Sequence, residues 1–181
     1  MPKLTTVPAP APAFSTNDVN GRPVRLADYQ GQRVLLTFQR NVGCPVCNLR
    51  FHELSQNATT FQERGLVVLA VYESSAAQIQ QYLDEQPVYP ILIPNPNQSL
   101  YQLYGVERSM GKLLKGILLH GGFSKIKASK ALTAKLPKQD GNADRVGADF
   151  LIDEQGRIVR AHYAAYVGDD LPVSEIIAFL K

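Results

Sequence analysis

Two cysteines three residues apart are the feature of this sequence most able to do chemistry. Cys44 and Cys47 enclose Pro45 and Val46, and they are the only cysteines in 181 residues. Residues i and i+3 of a first helical turn share one face, close enough for a disulfide. Thiols at a helix N-terminus also meet unpaired N–H groups and the positive end of the helix dipole, which stabilise a thiolate. The pattern therefore predicts a redox-active cysteine pair.

Two other interpretations of the pair stay open at this point. A structural zinc site needs about four ligands, and His52 is the one further candidate nearby in sequence. Two inert helix cysteines are also possible, because cysteine is often buried as a small apolar residue. The spacing alone does not decide which sulfur reacts first.

The elements around the pair support the redox interpretation. The run from Val34 to Phe38 follows Gly31 and predicts a short strand buried on both faces. After the cysteines, apolar residues recur at helical spacing as far as Gly65, which predicts one helix that ends there. These residues are Leu49, Leu54, Ala58 and Phe61. A Cys-x-x-Cys pair between a strand and a helix of an α/β pattern is a redox placement.

The rest of the chain predicts an α/β fold with a mixed sheet and helices on both faces. Asn20-Gly21 predicts a type I′ turn in an N-terminal hairpin between Phe14 and Leu26. Further strands are predicted at 66–72, 91–93, 149–152 and 157–162. Further helices are predicted at 74–86, 97–105 and 172–180.

Length and composition indicate one domain, at residues 14–181. Residues 1–13 are rich in Pro and Ala and predict an extended, solvated tail, with an ordered edge segment as the alternative. Residues at about 107–146 form a basic insertion, because the window 108–138 holds eight Lys and Arg and no Asp or Glu. Within it, one stripe recurs at helical spacing before Gly121-Gly122 breaks the pattern. The stripe consists of Met110, Leu113, Leu114, Ile117 and Leu118.

Composition narrows the partners and the compartment. No apolar run approaches the roughly 18 residues that span a bilayer, and residues 1–13 do not resemble a secretory signal. We therefore expect a cytoplasmic protein. A net charge of +3 is too small to indicate nucleic acid. The insertion is expected to pack on the domain as a lid or as a homodimer face, with contact to a membrane surface as the less favoured alternative.

Several segments resemble the alkyl hydroperoxide reductase/thiol-specific antioxidant (AhpC/TSA) superfamily, the peroxiredoxins. The opening Phe14-x-x-x-Asp18-x-x-Gly21 and the stretch from Val24 to Phe38 are similar to the start of that family. Val42-Gly43-Cys44 and Cys47-Asn48-Leu49-Arg50 resemble the active helix of its bacterioferritin-comigratory type. The stretch from Phe150 to Ile158 resembles its late hairpin. The resemblance covers most of residues 14–106 and 147–181.

This resemblance implies a thioredoxin-like fold and thiol-dependent reduction of hydroperoxides, with the disulfide recycled by a thioredoxin- or glutathione-type reductant. It implies no cofactor and no metal. A thiol–disulfide oxidoreductase, in which Cys44 attacks a protein disulfide and Cys47 resolves it, is the first alternative. A binding protein that keeps the redox fold without catalysis is the second.

The family's Pro-x-x-x-Thr-x-x-Cys motif can be placed in two registers. Counted without gaps from the Val34 strand, Cys47 takes the position of the attacking cysteine, Cys44 that of Thr and Arg40 that of Pro. In the other register Cys44 is the attacking residue. Exposure at the start of the helix is expected to favour Cys44. The family's arginine before the late strand falls at Gly147, so Arg40 or Arg145 would have to replace it.

Overall fold

The computed structural model describes residues 2–83, 88–132 and 138–181. The strands in the described residues are β1 (Ala9–Pro10), β2 (Ser15–Asn17), β3 (Pro23–Arg25), β4 (Arg33–Phe38), β5 (Leu66–Tyr72), β6 (Ile91–Pro94), β7 (Ala148–Ile152) and β8 (Arg157–Tyr163). The helices are α1 (Pro45–Gln56), α2 (Ala58–Glu63), α3 (Ala76–Leu83), α4 (Ser99–Leu103), α5 (Met110–Leu119), α6 (Gly122–Leu132) and α7 (Val173–Phe179).

Six of the strands form one mixed sheet in the order β1-β8-β7-β4-β5-β6, and β2 pairs with β3 in a separate hairpin. The central strand β4 runs parallel to β5 and antiparallel to β7, so that Leu35 lies between Val68 and Leu151. Because β4 has a neighbour on each side and apolar layers above and below, its run of apolar residues is buried throughout. This sheet and its flanking helices confirm the predicted α/β class.

Each face of the sheet carries its own apolar layer. On one face Phe38 packs edge-on against Tyr101, with ring centroids 5.2 Å apart, and against Phe150 at 5.9 Å. On the other face Leu35 and Val68 pack with residues of α1, α2 and α7, including Leu54, Phe61 and Ile176. The two layers fix the C-terminal ends of β4 and β5, and the cysteine segment follows the end of β4.

The predicted hairpin forms, but the predicted type I′ turn is wrong. Gly21 has a positive φ of 78°, whereas Asn20 does not adopt the positive φ that this turn requires. Instead, the Asp18 carboxylate accepts hydrogen bonds from the backbone N–H groups of Asn20 and Arg22, at 2.8 and 2.9 Å. A longer, side-chain-bonded turn therefore joins β2 and β3.

Three other predictions need correction or completion. The helix after the cysteines is two helices, α1 and α2, with the break at Asn57. In the N-terminal segment, Ala9 and Pro10 pair with β8, which is the ordered alternative. The helix predicted to reach residue 86 is described as far as Leu83, and residues 84–86 lie outside the described residues.

The basic window predicted as an insertion contains α5 and α6, and its apolar stripe is partly buried and partly exposed. Leu113 and Ile117 are half-buried, whereas Met110, Leu114 and Leu118 are more than half exposed. The stripe therefore does not pack as a whole on the domain.

Candidate active site

The cysteine pair lies at the start of α1, just after the loop that follows β4. Cys44 is the N-cap residue of α1, in extended conformation, and Pro45 follows at the first helical position. Proline suits that position because its φ is already helical and its missing N–H is not needed there. The Cys44 sulfur accepts a hydrogen bond from the backbone N–H of Cys47 at 3.4 Å. The local sequence thus places one thiol at the cap and the other within the first turn.

The two thiols form one hydrogen-bonded pair with unequal proton affinities. Burial by itself raises the pKa of Cys44. The hydrogen bond from the Cys47 thiol, the positive charge of Arg40 and helix N–H groups together outweigh burial and lower this pKa to about 6. Burial and the neighbouring Cys44 sulfur raise the pKa of Cys47 well above its usual value. Of the two sulfurs, Cys47 therefore has the higher proton affinity and Cys44 the greater thiolate character.

The expectation that exposure favours Cys44 is wrong. Cys44 is fully buried, with 0% of its surface exposed, whereas Cys47 retains 6%. Cys47 lines a small cavity of about 20 Å³, which is enough for roughly one water-sized group. The cavity is lined by Gln39, Arg40, Val46, Cys47, Arg145, Gly147, Ala164, Val167, Gly168 and Asp170. Of the two cysteines, Cys47 is thus the one that contributes to the cavity wall.

Arg40 contacts the pair through both its backbone and its side chain. Its backbone N–H donates to the Cys47 sulfur at 3.4 Å, and its guanidinium interacts with the Cys44 sulfur. One guanidinium nitrogen donates to the carbonyl of Ala143, while Nε is buried and has no hydrogen-bond partner in the described part of the chain. Arg40 therefore supplies a buried positive charge beside the two sulfurs.

Arg145 lines the same cavity but has its own ion-pair partner. Its Nε donates to the Glu73 carboxylate, and its guanidinium lies 4.6 Å from the Tyr101 ring centre. Gly147, the position of the family's arginine in the ungapped register, is also part of the cavity wall. The structure thus brings two guanidinium groups to the cavity, with only that of Arg40 directed at the sulfur pair.

The sequence reasoning missed two acidic residues near the site. Asp170 lines the cavity, and burial raises its pKa to about 6 despite the nearby charge of Arg50. Glu73 follows β5 and accepts the backbone N–H of Asn142 at 2.6 Å. Glu73 could have been found, because the carboxyl ends of the parallel strands β4 and β5 meet at one sheet edge. No pattern around Asp170 points to the cavity.

Within the described ranges, no three or more His, Cys, Asp or Glu come together in a group that could hold a metal ion. No helix in the same ranges has the length and apolar content needed to cross a membrane.

Comparison with known proteins places this geometry in a family. Residues 7–161 match the model of the AhpC/TSA family. Peroxiredoxin Bcp of Escherichia coli is 30% identical over 110 residues, which is 59% of this chain and 70% of that protein. Rv2521 of Mycobacterium tuberculosis, which carries a provisional peroxiredoxin name, is 25% identical over 156 residues, or 84% and 82% of the two chains.

Solved structures agree on the fold. Peroxidoxin BcpB of Mycobacterium tuberculosis superposes with a TM-score of 0.68 at 16% identity, covering 96% of this chain and 94% of that one. The family match spans β1 to most of β8 and includes both cysteines. The chain therefore belongs to the AhpC/TSA family of thioredoxin-fold proteins.

Proposed function

We propose that this protein is a thiol peroxidase that reduces hydroperoxides at Cys47, with Cys44 as the internal base and resolving cysteine and Arg40 as the charge that holds the pair. Family membership and the similarity to Bcp support thiol-dependent peroxide reduction by an oxidoreductase. The observation that carries the division of roles is that Cys47 lines the cavity while Cys44 is buried behind it with the lower pKa.

The first step needs a thiolate at the cavity. Cys44 has the lower pKa of the two and is hydrogen-bonded to the Cys47 S–H, so the resting proton stays on Cys47. In this proposal Cys44 acts as a general base and accepts that proton only as a hydroperoxide enters and the Cys47 sulfur approaches it. The Cys47 thiolate then attacks the distal oxygen of ROOH, the O–O bond breaks, and Cys47 becomes a sulfenic acid. The leaving alkoxide takes the proton from Cys44 and departs as ROH. Arg40 stabilises the negative charge throughout.

The second step forms the disulfide. Cys44, again a thiolate, attacks the sulfenic sulfur of Cys47, and hydroxide leaves. The sum is one thiol, one thiolate and ROOH converted to a disulfide, ROH and hydroxide. An external dithiol restores the pair by exchange, and we propose a thioredoxin- or glutathione-type reductant for this step. The immediate presence of Cys44 limits oxidation beyond the sulfenic acid.

The test is steady-state consumption of hydrogen peroxide and of an alkyl hydroperoxide with a thioredoxin system as reductant. Wild-type protein is expected to turn over, and Cys47→Ser is expected to be inactive. An exposed-site variant, Ser174→Ala, serves as the control. Failure of the wild type to consume peroxide, and to form a disulfide with one equivalent of it, would contradict the proposal.

A thiol–disulfide oxidoreductase is the second candidate, favoured by one observation. Cys44 has the lowered pKa and the N-cap position that suit a nucleophile in thiol exchange. Its complete burial leaves no route for a protein disulfide to reach it. Rapid reduction of insulin disulfides, together with trapped mixed disulfides on Cys44 in a Cys47→Ser variant, would favour this candidate over the peroxidase.

A further inference from the structure

Five apolar side chains of the α5–α6 helical hairpin are exposed to solvent. We use "the patch" for five side chains that are each 51–74% exposed: Met110, Leu114, Leu118, Leu119 and Phe123. The next most exposed large apolar side chain among the described residues is Val7, at 37%. A soluble surface rarely collects its apolar residues in this way unless the area contacts something.

Cations lie at the edges of the patch. Lys115 is one turn of α5 before Leu118 and Leu119, and Lys127 is one turn of α6 after Phe123, so helical geometry makes them neighbours. Both lysines are exposed, and none of the ion pairs in the described ranges involves either one. The whole window 108–138 holds eight basic and no acidic residues.

Two other lysines of the hairpin, Lys112 and Lys125, form hydrogen bonds within the molecule. Lys112 donates to Glu107 and to the carbonyl of Ala164, both at 2.7 Å. Lys125 donates to the carbonyl of Gly168 at 2.7 Å. These bonds fix the hairpin against the segment that walls the Cys47 cavity. Lys115 is exposed, but its Nζ lies 5.8 Å from the centre of the Tyr166 ring, on the domain side of the hairpin. The hairpin is therefore anchored to the domain, while the patch and Lys127 stay exposed.

We propose that the patch docks the molecule on an anionic lipid surface. Side chains more than half exposed protrude instead of lining a groove, and a protruding apolar group needs no complementary partner in a bilayer interface. Each exposed lysine beside it adds attraction to anionic headgroups. A second copy is a poorer occupant, because a two-fold contact would place two copies of this basic window, which holds no Asp or Glu, against each other. Since α5 has ten residues, it lies along the interface and does not span it.

The test is co-sedimentation of the reduced full chain with phosphatidylcholine vesicles, with and without phosphatidylglycerol. The wild type is expected to pellet only with the vesicles that contain phosphatidylglycerol, and added salt should release it from them. K115Q/K127Q and L118S/F123S should each lower the partition coefficient roughly tenfold or more. The control R22Q/K181Q removes the same charge from exposed positions elsewhere and should bind like wild type.

The variants lie outside the cysteine site, so their peroxide consumption in solution should equal that of the wild type. Lipid binding can therefore fail while peroxide consumption is observed, and peroxide consumption can fail while lipid binding is observed. Absence of wild-type pelleting on anionic vesicles would overturn the proposal. So would a wild-type dimer at sedimentation equilibrium that L118S/F123S abolishes without any lipid binding, since a second copy would then be the occupant.

Discussion

At the residue scale, the two sulfurs differ in what surrounds them. Cys44 receives hydrogen bonds from the Cys47 backbone and thiol and lies within the field of Arg40, whereas the Cys47 sulfur receives the Arg40 N–H. Access to the cavity therefore belongs to Cys47, whereas the lowered thiol pKa belongs to Cys44. A single attacking cysteine would need both properties, and here the hydrogen bond between the sulfurs joins them.

Arg40→Met tests the electrostatic part of this arrangement. Removing the guanidinium raises the pKa of Cys44, so the rate of disulfide formation with hydrogen peroxide should reach its plateau at higher pH. Wild type is expected to rise through about pH 6, and the variant about one pH unit or more above that. Stopped-flow measurements of the oxidation rate from about one pH unit below to about three pH units above the wild-type midpoint would measure both midpoints.

Two controls accompany that profile. Arg64→Met removes an exposed guanidinium far from the pair and should leave the midpoint in place. Asp170→Asn is needed because Asp170 shares the cavity and has a pKa of about 6. If Asp170→Asn moves the midpoint and Arg40→Met does not, the profile belongs to the carboxyl group and the role given to Arg40 is wrong.

At the element scale, glycine sets how closely α5 approaches the cavity wall. A Cβ on Gly116 would lie 2.6 Å from the backbone oxygen of Val167, whereas a Cβ on Gly111 in the same helix would meet nothing closer than 3.9 Å. Alanine usually stabilises a helix by about 1 kcal/mol relative to glycine. We expect Gly111→Ala to gain up to about that amount and Gly116→Ala to lose about 1–3 kcal/mol. Chemical denaturation measures both.

The Gly116→Ala variant also carries a functional expectation. Because Val167 lines the Cys47 cavity, displacement of its backbone should slow the reaction with hydroperoxide, whereas Gly111→Ala should not. Equal stabilisation by the two substitutions would show that α5 does not press on the cavity wall.

The loop that returns to β7 depends on one buried carboxylate. Glu73 is 2% exposed and binds both Arg145 and Asn142, so Glu73→Ala leaves a guanidinium buried without its charge partner. We expect a loss of about 3–5 kcal/mol in the free energy of unfolding. Glu154→Ala breaks the more exposed pair with Arg33 and should cost less than about 1 kcal/mol. Similar losses in urea denaturation for both variants would contradict this difference.

At the scale of the whole molecule, the cysteine pair links stability to pH. The pKa of Cys44 is lowered from 9.0 to about 6 on folding, so between these values the unfolded chain binds more protons and stability rises with pH. The contribution is complete above pH 9 and is lost as the pH falls through 6.

The measurement is the free energy of unfolding of the reduced wild type minus that of Cys44→Ser. This difference should grow toward higher pH within that window, by up to about 1.4 kcal/mol per pH unit. The raised pKa of Cys47 acts in the opposite direction above pH 9 and closes the window. Asp170 is present in both proteins, so its titration largely cancels. A difference that stays constant from pH 6 to 9 would refute the lowered pKa of Cys44.

The fold was predictable from sequence because its signals are local. The apolar run of β4, the late hairpin β7–β8 and α7 after Pro172 each follow from residues within roughly ten positions, and the Cys-x-x-Cys spacing placed the pair at a helix N-terminus. The break at Asn57 was not predictable, because Leu54 and Ala58 continue the helical spacing across it. The turn at Asn20 was missed because the Asp18 side chain replaces the expected backbone geometry.

The site was predictable only in part, since its walls come from distant segments. The cavity joins the loop after β4 with Arg145, Val167 and Asp170, more than a hundred residues away. Burial decides which sulfur is accessible, and it depends on tertiary packing that spacing does not encode. The exposed half of the α5 stripe has the same origin: helical period predicts a face but not what covers it.

The most direct test of the account is mass spectrometry after one equivalent of hydroperoxide, with a sulfenic acid trap, on the wild type and both single Cys→Ser variants. We expect an intramolecular disulfide in the wild type. In Cys44→Ser we expect sulfenic acid on Cys47, formed more slowly because the internal base is gone. In Cys47→Ser we expect Cys44 to remain unreacted. Oxidation of Cys44 in Cys47→Ser, with Cys47 left reduced in Cys44→Ser, would contradict the account.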